Sequence, residues 1–402
     1  MNLSKELLLP CGVKLPNRLA KSAMSENMAR KGHIPGIEFY NAYLQWVNGG
    51  TGLCITGNIM IDSRHKGEAH NVVIEKGLDN HQALKNWTKV TKNTSMHLWA
   101  QLNHPGKQTP KFLTKLPIAP SAIPLLSPLN KMFNQPREMS ESEIIDTVNR
   151  FAYAAKISKE CGFQGVQIHG AHGYLVSQFL SPNHNNRKDK WGGSIENRMR
   201  FVVEIYNAIR KEVGPTFPVA IKLNSADFRM GGFTHQESIF VAQTLSKLGI
   251  DLIEISGGSY EKPVMTGVSI KESTKKREAY FLEYAKDIKK VIDCPMMVTG
   301  GFRTGTFMNF ALENGELDLI GLARPLCICP NFSNQLLGEQ NIISKVRPIT
   351  TNIKFLDKIF PLEIIWYTMQ IHRMGKNKLP SPNASAFLAI LKTILSQLFN
   401  LY

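Results

Sequence analysis

The sequence predicts an α/β protein: a closed (β/α)8 barrel, a TIM barrel, with a long loop insertion after strand 3 and a C-terminal helical extension. Three observations predict it. Eight apolar runs of strand length recur along the 402 residues. Amphipathic, helix-like stretches separate them. Several runs are apolar on both faces, as buried parallel strands are. The rival is an open doubly wound sheet, which would carry a glycine fingerprint after its first strand; none is present there.

The elements follow in order. The first three runs are "RLAKSAM" (18–24), "GLCITGNIMI" (52–61) and "MHLWAQL" (96–102). Residues 105–139, rich in Pro, Lys and Ser, interrupt the alternation and read as a long loop over the active face. A helix is expected at Ser140–Glu160, where Ser140 and Glu143 have the spacing of a capping box and Gly162 suits a stop. "GVQIH" (165–169) is the fourth run, followed by a helix at Ile195–Val213. "VAIKLN" (219–224) precedes a helix at Gln236–Leu248, and "DLIEIS" (251–256) precedes one at Tyr280–Ile292. "MMVTG" (296–300) and "LDLIGL" (317–322) complete the set.

Residues 1–374 are expected to form the barrel domain, and 375–402 a linker and an amphipathic helix. In that helix Phe387, Leu391, Ile394 and Leu398 recur at helical spacing. It is too short to cross a bilayer comfortably. Docking on the barrel is the first expectation; peripheral membrane contact and a dimer contact stay open as alternatives.

Composition narrows the function classes. Hydrophobic residues are 43% and charged residues 20%, as in ordinary globular proteins. The six cysteines form no CxxC pair, which disfavours a zinc ribbon or a thioredoxin-type redox site. The opening "MNLSKELLLPCG" lacks a signal-peptide core, and no apolar run of about 18 residues exists, so a cytoplasmic setting with free thiols is expected. The formal charge of +16 admits nucleic acid or a membrane surface as partners. The basic residues are dispersed, "STKKR" (273–277) being the densest cluster, and no nucleic-acid signature accompanies them. A solvated basic surface is the expectation, with a small-molecule substrate and no nucleic acid as partner.

Barrels of this kind work at the carboxyl ends of their strands. There the sequence places Ser25 after the first run and Gln101 at the end of the third. His169 ends the fourth, with His172 and Tyr174 just beyond. Lys222 lies in the fifth, Gly300 and Gly301 end the seventh, and Arg324 follows the eighth. The stretch "HGAHGY" (169–174) admits a metal site, a structural pair or an anion grip. Zinc needs at least three ligands, and no carboxylate lies at a suitable spacing, so no metal is expected. Two imidazole N–H groups can instead converge on one oxygen and stabilise charge developing there. Tyr174 then stands ready to give or take a proton. "GGFRTG" (300–305) is neither a dinucleotide fingerprint nor a P-loop, yet glycines at a strand end before a helix suit phosphate.

Residues 5–340 resemble the Old Yellow Enzyme-type NAD(P)H:flavin oxidoreductases, ene-reductases built on an FMN-holding TIM barrel. The most specific segment is "GVQIHGAHGYLVSQFLSPNHNNRKDKWGGSIENRMRF" (165–201). "LPNRLAKSAM", "QLNHPGKQ" (101–108), "APSAIP" (119–124) and "TGGFRT" (299–304) occur in family order. The resemblance implies non-covalent FMN, with NADH or NADPH as reductant. It implies Ser25 beside the flavin O4/N5 edge, Gln101 at the pyrimidine edge, Lys222 near N1/O2, and Gly300, Gly301 and Arg324 at the phosphate. It implies that His169 and His172 grip the substrate oxygen, that Tyr174 donates the proton, and that Arg198 is structural. The implied reaction is reduction of activated C=C bonds in α,β-unsaturated carbonyl or nitro compounds by hydride from flavin N5. Lys222 stands where many members have Arg, which keeps the charge and loses the planar fork. "HPGK" replaces the commoner "HAGR", and Ala323 precedes Arg324 where many members have Gly. Cys327 and Cys329 have no second pair, so an iron–sulfur centre and FAD are not expected. A flavin-dependent amine oxidase or demethylase is the alternative enzyme. A basic surface-binding protein with an inactive barrel is the alternative from another class. Oligomeric state, monomer or homo-oligomer, is open.

Overall fold

The computed structural model describes residues 2–264, 278–339 and 341–399. The "STKKR" cluster lies outside them. Eight parallel strands form the barrel: β1 (Leu19–Lys21), β2 (Leu53–Met60), β3 (His97–Asn103), β4 (Val166–Gly170), β5 (Val219–Asn224), β6 (Leu252–Ser256), β7 (Met296–Thr299) and β8 (Leu319–Leu322). Each of the eight apolar runs yields one strand. Neighbours pair in sequence order, and β8 closes the sheet by pairing Ile320 with Leu19 and Leu322 with Lys21. Register slips once, between Ile55 and Asn58 in the β2–β3 ladder.

Residues alternate across each strand. One set points inward, where Ala20, Leu53, Trp99, Leu252, Met297 and Leu319 form a core with Leu7, Leu9 and Leu15. Leu7 and Leu15 belong to an antiparallel pair, Leu7–Leu8 with Lys14–Leu15. That hairpin fills the amino end of the barrel, so only the carboxyl end is left for chemistry.

The helices α1 (Ile37–Asn48), α2 (His81–Thr88), α3 (Glu141–Glu160), α4 (Ile195–Val213), α5 (His235–Lys247), α6 (Leu282–Lys289), α7 (Gly305–Glu313) and α8 (Phe332–Gly338) ring the sheet. The expected capping box opens α3: Ser140 Oγ accepts from Glu143 N, and the Glu143 carboxylate accepts from Ser140 N. Buried Arg198, on α4, donates to the carbonyls of Leu180 and Gly193 and pairs with Glu237 of α5. That is the structural role expected for it. The inserted loop carries a small strand pair, Ile118–Ala119 with Arg137–Glu138.

Two further helices follow. α9 (Leu362–Gly375) packs on α1, where Asn41 Nδ2 donates to Gly375 O at 3.0 Å. α10 (Ala386–Phe399) packs on α9, and Trp366 Nε1 donates to Ala384 O at 2.9 Å just before it. The docked face of α10 is Ala386, Ala389 and Ile390, all buried. This corrects the expected apolar stripe: Phe387, Leu391 and Ile394 are 56%, 44% and 38% exposed, and the Leu398 side chain lies outside the described residues. Among the described residues, no helix is long and apolar enough to cross a membrane.

Candidate active site

The floor of the site is a buried polar belt crossing the barrel. Gln101 Nε2 donates to Gln167 Oε1 at 2.8 Å, and Gln167 Nε2 donates to Glu254 Oε2 at 2.7 Å. Glu254 Oε1 accepts from Lys222 Nζ at 2.9 Å and from Thr299 Oγ1 at 2.7 Å. Thr299 Oγ1 in turn meets Ser22 Oγ at 2.7 Å. Ladder pairing explains the contacts: Gln101 stands opposite Gln167, and Lys222 opposite Glu254. Glu254 is wholly buried and Lys222 is 3% exposed, so each charge depends on the other.

"HGAHGY" rises from this floor. His169 is the fourth residue of β4. Its Nδ1 accepts from Ala171 N at 3.3 Å, which leaves the ring proton on Nε2. His172 has φ 62° and Gly173 φ 77°, a left-handed turn that folds the chain back over the strand end. Asn224 Oδ1 accepts from His172 N at 3.1 Å, and Ser256 Oγ meets His172 Nε2 at 2.8 Å. The rings of His169 and His172 lie 5.1 Å apart, and those of His169 and Tyr174 lie 4.7 Å apart, both edge to face. Burial, then His172 and Lys222, hold His169 well below the ordinary histidine range. Burial, then Lys222, pushes His172 down to about 3. Both imidazoles are therefore neutral near pH 7. Tyr174 is raised well above the ordinary tyrosine range, by burial first and by Tyr260 second. Its hydroxyl meets Tyr260 Oη at 2.8 Å, with Asn58 Nδ2 at 3.5 Å.

Ser25 lies on the other side. Its hydroxyl donates to Glu68, whose second oxygen accepts from Asn71 Nδ2 at 3.2 Å. Burial raises the Glu68 carboxyl, and Glu68 in turn raises Tyr174 and Tyr260. Helix α9 covers this side: Thr368 Oγ1 donates to Ser25 O at 3.2 Å, and His372 Nε2 meets Glu26 O at 2.7 Å.

Gly300 and Gly301 follow β7 with φ of 125° and 89°, which a side chain rarely adopts. A Cβ on Gly301 would come within 2.8 Å of the Tyr280 ring. Just beyond, the Glu278 carboxylate accepts from Arg303 N at 2.7 Å, Thr304 N at 3.0 Å and Thr304 Oγ1 at 2.7 Å. An acidic side chain thus occupies an anion nest at the start of α7. Arg324 opens the short helix after β8 and pairs with Glu363 of α9 at 3.3 Å. Tyr280 acts on Arg324 electrostatically, which brings the two phosphate candidates into one neighbourhood.

These residues fit a polar, anionic cofactor. The side chain of Asn103, two residues beyond Gln101, is buried with both Nδ2 and Oδ1 unpartnered, and Asn58 Oδ1 is unpartnered too. Orphaned buried amides are costly unless a ligand meets them. The Glu278 nest shows that the loop after β7 binds negative charge.

Among the described residues, Asp62, His65 and His104 also gather ligand-type atoms within 4.8 Å of one another. The donor set does not suit a cation. His104 Nδ1 accepts from Gly106 N at 3.0 Å, which puts the proton on Nε2. Arg64 grips both oxygens of Asp62, at 2.7–3.2 Å.

Comparison with known proteins places the chain. Residues 11–341 match the NADH:flavin oxidoreductase / NADH oxidase family. The chain belongs to that family. It is 37% identical to the NADH-dependent flavin oxidoreductase iccE of Talaromyces variabilis, over 94% of this chain and 99% of that one. A 2-naphthoyl-CoA reductase complex superposes with a TM-score of 0.78 at 26% identity, over 85% of this chain, which spans 53% of that protein. An old yellow enzyme homologue from Zymomonas mobilis superposes with a TM-score of 0.71 at 22% identity, over 86% and 95% of the two chains, and shows the shared barrel fold. This NADH:flavin oxidoreductase is thus an enzyme with FMN as cofactor and a reduced nicotinamide as electron source.

The site holds residues that the sequence reading passed over. Gln167 and Glu254 lie inside apolar runs, and their only signal is a polar residue facing the barrel in neighbouring strands. Tyr260, Glu68 and Glu278 lie in loops without periodicity and give no signal.

Proposed function

We propose that this enzyme reduces activated C=C bonds of α,β-unsaturated carbonyl or nitro compounds, and that His169, His172 and Tyr174 act on the substrate. The observation that carries the proposal is the neutral histidine pair beside a proton-bearing tyrosine at the end of β4. Gln101, Asn103 and Lys222 would hold the flavin ring, and Gly300, Gly301 and Arg324 its phosphate. FMN held there would supply the hydride chemistry, with NAD(P)H as its source of electrons.

The protein's own part is binding, polarisation and proton delivery. His169 Nε2–H and an N–H of His172 point at the substrate's carbonyl or nitro oxygen. Neutral donors suit an oxygen that becomes negative during reaction, because they cost no reorganisation. Polarisation makes the β-carbon electrophilic. Tyr174 then protonates the α-carbon. Its raised pKa keeps it protonated at working pH, and Tyr260 and Asn58 donate to the tyrosinate as it forms. One hydride and one proton are added, so the alkene gains two electrons and two hydrogens. The related 2-naphthoyl-CoA reductase, whose named ligand is a conjugated thioester, supports a conjugated carbonyl substrate. Tyr174 favours a reductase over an amine oxidase, since amine oxidation needs no acid there.

Titration of the oxidised, flavin-loaded enzyme with a simple phenol tests the grip. A long-wavelength charge-transfer band is expected, weakened in His172→Ala. Alkene reduction by that variant should slow by about 10²–10³. A flavin-loaded protein that shows no band, or that leaves enones and nitroalkenes unchanged, would overturn the proposal.

A further inference from the structure

α10 has two apolar faces, and the fold uses one. Ala386, Ala389 and Ile390 are buried against the body of the protein. Phe387, Leu388, Leu391, Ile394 and Leu395 are 56%, 42%, 44%, 38% and 39% exposed. Offsets of one, four, seven and eight residues from Phe387 put these five on a single arc of the helix, about 120° wide at 3.6 residues per turn. A contiguous apolar stripe of this kind on a surface helix marks an interaction site. Leu379, 76% exposed, adds an apolar side chain in the linker before the helix.

The charge around the stripe indicates what covers it. Residues 345–402 contain eight Lys and Arg against two Asp and Glu, a stronger basic excess than the chain as a whole carries. Lys376 and Lys378 are exposed in the linker, and Lys392 is exposed on the helix itself. Arg373 Nε donates to Leu379 O at 3.0 Å, and Arg347 Nη2 donates to Pro382 O at 3.1 Å, which pins two more cations along the linker. A second protein copy would bring the same positive charge to the contact and be repelled. An anionic lipid surface would take both features at once, the leucines into the acyl boundary and the lysines among the headgroups.

We propose that the exposed face of α10, with the basic linker before it, holds this enzyme on an anionic membrane surface while the opposite face keeps the helix docked on α9. The enzyme would then work at the headgroup level and meet apolar substrates that partition into lipid. The attachment is peripheral, because the helix stays docked and spans nothing.

The test is flotation of the full-length, flavin-loaded enzyme with vesicles of phosphatidylcholine alone and of phosphatidylcholine with phosphatidylserine. The wild type should float with the anionic vesicles, float less as salt rises, and float poorly with phosphatidylcholine alone. Leu388→Glu/Leu391→Glu should fall to background while keeping its flavin, its melting temperature and its turnover of a water-soluble substrate, since both side chains already face solvent. Lys376→Glu/Lys378→Glu should lose flotation in the same way. A wild type that stays at the bottom of the gradient overturns the proposal. So does a double leucine variant that floats as well as the wild type. A wild type that is dimeric by light scattering and turns monomeric in the leucine variant also overturns it, and gives the face to a second copy.

Discussion

Removal of the Lys222 charge probes the floor of the site. The ammonium and the Glu254 carboxylate are 2.9 Å apart, and both are buried. With an effective dielectric near 20, their attraction is about 6 kcal/mol, set against several kcal/mol of desolvation for each ion. Lys222→Met leaves Glu254 charged, buried and without its cation. Gln167 and Thr299 still donate to it, so the loss is expected at the lower end of the range for broken buried pairs, about 3 kcal/mol. Lys222→Met/Glu254→Gln removes both charges. The amide chain Gln101–Gln167–Gln can reverse its direction and satisfy itself, so the double variant should lie within about 1 kcal/mol of the wild type. The assay is urea unfolding of the flavin-free proteins, so that altered FMN affinity does not enter, with Lys222→Met, Glu254→Gln, the double variant and the wild type compared as a cycle. A coupling of about 2 kcal/mol or more is expected. A double variant as unstable as Lys222→Met would refute the argument, because Lys222 would then stabilise the fold by some route other than Glu254.

Further outcomes follow from the same geometry. Glu254→Gln alone should free the Lys222 charge and raise the flavin reduction potential, by about 30 mV for each 1.4 kcal/mol of added stabilisation, as read by dye-coupled titration. Tyr260→Phe should slow the alkene half-reaction and spare flavin reduction by NADH in stopped flow, because only the former asks Tyr174 for a proton. Glu278→Gln should tighten FMN uptake by the apoprotein about tenfold, through removal of a competing carboxylate worth about 1.4 kcal/mol; unchanged fluorescence quenching on FMN titration would count against this. Histidine burial sets an acid limit. His169 and His172 titrate lower when folded than the usual 6.5, so the unfolded chain takes up protons first. Their stabilisation is complete above about pH 6.5 and falls as pH drops below it, for His172 down to about 3, by about 1.4 kcal/mol per unit for each ring; urea midpoints between pH 7 and 4 should show it.

The barrel was legible because a buried parallel strand leaves a plain trace, a short run apolar on both faces, and all eight such runs became strands. The ends of those runs pointed to Gln101, His169, His172 and Tyr174 as candidates, and the fifth run held Lys222 within it. Glu254 was not legible, because an acid inside "DLIEIS" has meaning only once Lys222 is known to stand beside it. Tyr260 and Glu278 were hidden for a different reason: loops carry no period, and the ladder or helix that aims them lies elsewhere in the chain. Helix α9 carries a signal in its sequence, since Leu362, Trp366 and Met369 recur at helical spacing and are buried. The α10 stripe was seen, but sequence spacing finds an apolar face without saying which face is covered, and the small residues Ala386 and Ala389 won the docking.

The bonds from Thr368 and His372 to the backbone of Ser25 and Glu26 join positions 343 and 346 residues apart. The barrel seam joins β8 to β1 over a span nearly as long. During synthesis β1 therefore waits, with its site-forming loop open, until β8 and α9 have been made and can pack on it. Contacts this distant in sequence form late and slowly. A chain cut anywhere before about residue 375 would not yield a weaker enzyme in proportion to the cut; it would lose at a stroke the helix that covers Ser25 and Glu26. Flavin retention should thus depend on α9, and the yellow colour of a preparation should report chains in which that helix has folded home.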